Sequence, residues 1–243
     1  MRPLFIASLG NPGSSYAHTL HSAGHTLLEA LVSYLGFPSL TVSRQATGTK
    51  GRYTDSVGQG IAFWESPDYM NDGGPTLAAA WRKWSSSQRA FDDEALEPRL
   101  IIVHDELELP CGKFSVKTGV GASARGHNGL KSFLSMPNMK QLQFTRVGVG
   151  IGPRPLSREP DQVAKYVLKK MTGEQKAKIQ GIAGEVWREI EKIQRGEEGG
   201  KKGGAQQSSN KQRGRKEKKE RGGSHPPPDR EVMLEQAERA SSV

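Results

Sequence analysis

The sequence predicts an α/β fold: a single-domain sandwich in which a twisted, mixed β-sheet is flanked by helices, with a disordered basic C-terminal tail. Two observations predict it. Through residue 195, short apolar runs alternate with longer stretches whose apolar residues recur at helical spacing, as expected for strands and helices laid in layers. Near Gly196 that pattern stops, and the chain becomes rich in glycine and charge.

The elements follow in order. "PLFIASL" is a short apolar run that enters a glycine turn, which reads as a buried strand. "AGHTLLEALVSYLG" (23–36) places Leu27, Leu28, Leu31, Val32 and Leu35 on one helical face and stops at Gly36. "GIAFWES" is a second strand, and "GGPTLAAAWRKW" a helix with Pro75 near its first turn. The polar stretch 85–98 reads as a loop. "RLIIVHDE" is a buried strand, "GKFSVKT" a shorter one, "NGLKSFLSM" a helix and "FTRVGVGIG" a strand. Two helices complete the body: "EPDQVAKYVLKKM", then residues 172–194, which Thr172 and Gln175 open with a capping-box pattern.

The division predicted is a folded domain over 1–195 and a tail over 196–243. The body carries 24 basic and 18 acidic residues, and Lys201–Arg221 alone carries nine basic and two acidic ones. Such a tail buries too little apolar area to offset its ordering entropy; it is either a solvated extension or a sequence-independent phosphate contact. A net charge of +9 and a pI near 9.7 favour a polyanionic partner. The single cysteine, Cys111, excludes an internal disulfide. No apolar run reaches the ~18 residues of a membrane span, so no membrane partner is expected. The N-terminal stretch reads as folded structure rather than as a secretory signal or a clear transit peptide, and a cytoplasmic or mitochondrial location is expected.

In open α/β sheets, reactive residues gather just past strand ends. That rule selects Asn11 after the first strand, Asn71 in "DYMND", Asp105 after "LIIVH", Asn128 in "RGHNGL", and His21 before the first long helix. Each has a plainer reading: Asn11 as a turn residue before Pro12, Asn71 and Asn128 as helix caps, Asp105 as a loop acid. His21 and His25 share the spacing of a zinc-binding helix, but the intervening glutamate, a third ligand and a cysteine pair are missing, so no metal is expected. The glycines of "SLGNPG" and "GVGIGPRP" match neither phosphate-loop pattern.

In order along the chain, "SLGNPGSSYAHTLHSAGH", "DYMND", "HDELELP" and "RGHNGLKS", ahead of "FTRVGVGIG", resemble bacterial-type peptidyl-tRNA hydrolase from about Leu4 to Ile193. The resemblance implies a monomeric, metal-independent and cofactor-free hydrolase that cleaves the ester joining peptide to tRNA. It implies His21 as the catalytic base and Asp105 as the acid that holds it. Asn11, Asn71 and Asn128 would position substrate, with Met70 beside them and Tyr16 near the terminal nucleotide. Lys117 falls near a position that grips a tRNA phosphate. Leu20 and Ser22 stand where the family has arginine and asparagine, and Gly148 where it often has a second arginine. Arg125, in a slightly longer loop, is a further candidate for a phosphate contact.

The chemistry of the residues agrees with that implication. An imidazole of ordinary pKa ~6.5 is partly unprotonated near neutrality and can take a proton from water. A carboxylate on its other nitrogen fixes the tautomer. Carboxamides donate to a developing oxyanion, and bind peptide backbone without selecting a side chain. Of the opening histidines, His18 is expected to face solvent and His25 to pack or cap; His127 is expected only to position Asn128. The alternative is a non-catalytic RNA-binding protein on the same fold.

Overall fold

The structure is a computed structural model that describes residues 1–56, 60–89, 96–120, 124, 126–155 and 159–197. One compact unit runs from Met1 to Gly199. The expected tail, from residue 198 on, lies outside the described residues.

The strands are β1 (Leu4–Ser8), β2 (Thr41–Val42), β3 (Arg52–Ser56), β4 (Ile61–Glu65), β5 (Arg99–Pro110), β6 (Phe114–Val120) and β7 (Gln143–Gly152). The helices are α1 (Ala23–Tyr34), α2 (Gly73–Arg89), α3 (Asn128–Leu134), α4 (Pro160–Val167), α5 (Gly173–Gly181) and α6 (Ala183–Gln194). The sheet order is β2-β3-β4-β1-β5-β7-β6. β4, β1, β5 and β7 run parallel, while β2, β3 and β6 pair antiparallel at the two sides. The sheet is mixed and flanked by helices, as the sequence predicts.

Alternation along β1 divides the core. Leu4 and Ile6 join one cluster, under α1, α5 and α6; Phe5, Ala7 and Leu9 join the other, under α2 and α3. Each strand residue points opposite to its neighbour, so a strand buried on both faces is mostly apolar. That is why Leu4–Ala7 of β1 and Leu100–Val103 of β5 read as unbroken apolar runs.

Four local expectations are corrected. Residues 85–89, expected in a loop, complete α2; their serines gave no apolar period, yet Ser85 and Ser87 satisfy their hydroxyls on the carbonyls of Arg82 and Trp84. The helix expected over 172–194 is two, breaking at Ile182, although its capping box is present, with Gln175 N–H on Thr172 Oγ1 at 3.2 Å. β3 was not foreseen: "RYTDS" has no apolar run, and its order comes from pairing with β4, where Arg52 sits opposite Glu65 and bonds it at 2.8 Å. Asp105 lies within β5 rather than after it, because the strand continues past the apolar core to Pro110.

Candidate active site

The C-terminal ends of the parallel strands open onto a cleft of about 810 Å³. His21, Asp105, Asn11, Met70, Asn71 and Asn128 all line it. β1 delivers Asn11 through the turn that follows it, β5 carries Asp105, the turn ahead of α2 carries Met70 and Asn71, and the start of α3 carries Asn128.

His21 sits in a single 3-10 turn, Leu20–Ser22, that runs directly into α1. Its Nδ1–H donates to Asp105 Oδ1 at 2.8 Å. Nε2 is thereby left as the acceptor. Burial alone would lower the imidazole pKa, but the charge of Asp105 and its hydrogen bond outweigh that and raise it above the ordinary value. Burial pushes the Asp105 carboxyl up, yet His21 and His127 together hold it well below the usual carboxylate range. Asp105 is therefore a carboxylate throughout the neutral range.

Asn11 Oδ1 accepts the Met70 backbone N–H at 2.8 Å. That bond commits the oxygen and leaves the amide NH2 as the free donor of the side chain. Asn71 and Asn128 are exposed in the cleft. The helix cap ahead of α3 is His127, not Asn128, which is the first helical residue.

The remaining histidines separate clearly. His18 is exposed, at φ +60° in the turn. His25 bonds Ser8 Oγ through Nδ1 at 2.7 Å, and burial, with Arg52 and His21 nearby, pushes its pKa down to about 3. Its ring lies so close to Gly10 that a Cβ there would stand 2.4 Å from it. His25 thus packs the base of the turn and is no partner of His21 in a metal site. A different trio, His21, Asp105 and His127, has ligand atoms within 4.8 Å of one another, the one such group among the described residues. Leu130 N–H donates to His127 Nδ1, however, which leaves the proton of the neutral ring on Nε2, the atom that would have to bind the metal.

Two other expected residues, Tyr16 and Lys117, do not line the cleft. Tyr16 packs edge-on against Tyr69, which does, with ring centroids 5.7 Å apart. Lys117 is on β6 opposite Arg146. Arg125 lies outside the described residues. The departures are accommodated. Leu20 is buried in the core under α1, and Ser22 Oγ donates to the Tyr16 carbonyl at 3.0 Å, closing the turn that carries His21. At Gly148, a Cβ would lie 3.0 Å from both Glu106 Cβ and Ser115 Oγ, so the strand has closed over the place of a longer side chain.

Sequence reasoning missed the opposite wall, where Pro160, Val163, Ala164, Val167 and Leu168 present an apolar strip from α4. The signal was the i, i+4 pair Val163 and Val167 followed by Leu168, which is 42% exposed. A base with its orienting carboxylate, a fixed amide donor and an apolar wall can position an acyl group and activate water against it.

The peptidyl-tRNA hydrolase family model matches residues 5–217. A peptidyl-tRNA hydrolase of Saccharomyces cerevisiae is 33% identical over 172 residues, 70% of this chain and 84% of its own. One from Mycobacterium tuberculosis is 29% identical over 180 residues, 74% of this chain and 85% of its own. Among solved structures, the peptidyl-tRNA hydrolase of Acinetobacter baumannii superposes with a TM-score of 0.60 at 27% identity, covering 80% of this chain and 90% of that one.

Proposed function

The chain belongs to the peptidyl-tRNA hydrolase family, and from that premise we propose how its residues carry out the reaction. The enzyme hydrolyses the ester between peptide and tRNA, which frees the tRNA for reuse. The non-catalytic alternative is set aside, because the family is one of hydrolases.

His21 Nε2 takes a proton from a water molecule as that water attacks the ester carbonyl carbon. The carbonyl oxygen gains negative charge, and the Asn11 NH2 donates to it; one such donor is typically worth roughly 2.7–4 kcal/mol. Asp105 stabilises the imidazolium. The tetrahedral intermediate then collapses, the C–O bond to the ribose breaks, and His21 returns its proton to the leaving 3′ oxygen. Asn71 and Asn128 hold peptide carbonyls, Met70 packs beside them, and Tyr16 supports the approach of the terminal nucleotide through Tyr69. No metal or cofactor takes part. Lys117 and Arg125 are assigned to tRNA phosphates. We assign catalysis to residues 1–195, acting as a monomer, and treat 196–243 as a basic extension. No described helix is long and apolar enough to cross a membrane; we place the enzyme where translation occurs, in cytoplasm or mitochondrion.

The observation that carries this reading is the 2.8 Å bond from His21 to Asp105 on the cleft wall that also bears Asn11. Peptide release from purified peptidyl-tRNA tests it. His21→Ala should lose ~10²–10⁴ in turnover with tRNA affinity retained, and excess chelator should leave the wild-type rate unchanged. Near-normal turnover in a folded His21→Ala protein would overturn the base, and loss of activity restored by zinc would overturn the metal-free assignment.

A further inference from the structure

We propose that His127 is a positioning residue for this reaction: through one imidazole it ties the start of α3 to Asp105, and it shares the carboxylate oxygen that orients His21. The inference rests on His21 acting as the base.

Three contacts define the arrangement. Asp105 Oδ1 accepts from His21 Nδ1 at 2.8 Å and from His127 Nε2 at 3.0 Å. His127 Nδ1 in turn accepts the Leu130 backbone N–H at 3.2 Å, which caps α3. The cap decides the tautomer. A ring nitrogen that accepts an N–H carries no proton, so the proton of neutral His127 sits on Nε2 and points at Asp105. The side chains of His127 and Asp105 are 7% and 5% exposed, so little water competes for that oxygen.

Two consequences follow. Asp105 cannot rotate toward the cleft without breaking the bond to His127, so the carboxylate presents Oδ1 to His21 in a fixed direction. The donated bond from His127 also draws on the same oxygen, so His21 receives less than the full attraction of the carboxylate. His127 thereby keeps the base from being over-stabilised as imidazolium. Because the next residue is Asn128, the same ring sets the register between the base and a substrate-facing amide.

His104 on β5 packs edge-on against His127, ring centroids 4.8 Å apart, and gives its own Nδ1–H to the Asp105 carbonyl. Burial pushes the pKa of His104 down to about 3, so it adds no charge at neutral pH. Other titratable or charged groups nearby are His21 itself, His25 from α1 and Arg146 from β7, and the cleft also carries Asp72, Glu106, Glu108, Lys131 and Arg154.

Two substitutions separate the two ends of the ring. Asparagine places a polar atom near the position of Nδ1, and is a strong helix cap, but does not reach Asp105. Glutamine places an amide NH2 near the position of Nε2 and gives up the cap. In His127→Asn the whole of Oδ1 falls to His21, so the acidic limb of the kcat/KM–pH profile moves to higher pH by several tenths of a unit. His127→Gln keeps the wild-type limb and loses thermal stability instead. A limb that stays in place in His127→Asn, or that moves equally in both variants, overturns the proposal. Imidazole nitrogen NMR on the wild-type protein gives a reading independent of how either variant folds: His127 should be the Nε2–H tautomer at neutral pH, and the Nδ1–H tautomer would overturn the proposal. His21→Ala is measured alongside. If it stays active, the base assignment fails; if it is inactive while His127→Asn leaves the limb unmoved, only the present inference fails.

Discussion

Asp105 sets the acid–base behaviour of the cleft through the sign of its effect on His21. Burial lowers an imidazole pKa and the neighbouring carboxylate raises it; here the net shift is upward. A raised pKa means that more of His21 is protonated at a given pH, so the acidic limb of the rate profile lies above the ordinary imidazole value. Asp105→Asn removes the raising effect and leaves burial. The limb should then fall below that value, while the plateau drops on the order of 10²-fold or more through loss of tautomer control. A pH–rate profile of the folded variant checks both, and an unmoved limb would separate Asp105 from His21. At this scale the sequence was partly legible. A histidine, an aspartate and three asparagines able to serve such a site were readable as residue types. The 2.8 Å contact between His21 and Asp105 was not, since 84 residues separate them.

Among the elements, the turn that carries His21 is strapped to the end of α4. Leu20 N–H bonds the Lys169 carbonyl at 2.9 Å, Met171 N–H bonds the His18 carbonyl at 2.8 Å, and Thr19 bridges Lys170 in antiparallel fashion. Lys170 Nζ closes the strap on the carbonyls of Ser14 and Ala17, at 3.2 and 2.6 Å. These exposed bonds contribute about 0.5–1.5 kcal/mol each, enough to bias a short turn without governing global stability. Lys170→Met should therefore lower kcat several-fold with KM nearly unchanged, and Lys170→Arg should recover most of the loss. A rise in KM alone, measured on peptidyl-tRNA, would assign Lys170 to tRNA contact instead. No periodicity marks this strap, because main-chain carbonyls, not side-chain pattern, receive the lysine.

For the whole molecule, charge is unevenly divided. The segment Lys201–Arg221 carries +7, and Gly148 on β7 stands where the sequence resemblance implies that the family often has a second arginine. Deleting 196–243 should flatten the salt dependence of tRNA binding, by a log–log slope of about 0.7 for each phosphate released on a single strand or about 0.9 on a duplex. It should raise KM at physiological salt and leave saturated turnover in place, because the assigned catalytic residues all precede residue 196. Equal salt slopes for full-length and truncated protein would show that the body alone grips tRNA. A collapse of saturated turnover would show that catalysis needs the extension.

By itself, the sequence determined the α/β class, the unbroken apolar runs of the parallel centre and the helices with a clear apolar stripe, because those are set by local spacing and by which faces must be buried. It also determined the residue types able to activate water. Tertiary structure alone decided the rest. β3 is a strand only because β4 lies beside it, Ile182 interrupts one apparent helix, and α4 is set against the cleft by the packing of Val167 in the core and the bond from Tyr166 to the Ile151 carbonyl. It also decided between histidines that look alike in sequence: His25 is packed against Gly10 and bonded to Ser8, whereas His21 and His127 converge on one oxygen of Asp105. The physical reason is that such bonds join positions tens of residues apart. Their geometry depends on strand order and on how each turn leaves its strand, and neither is encoded in the spacing of neighbours along the chain.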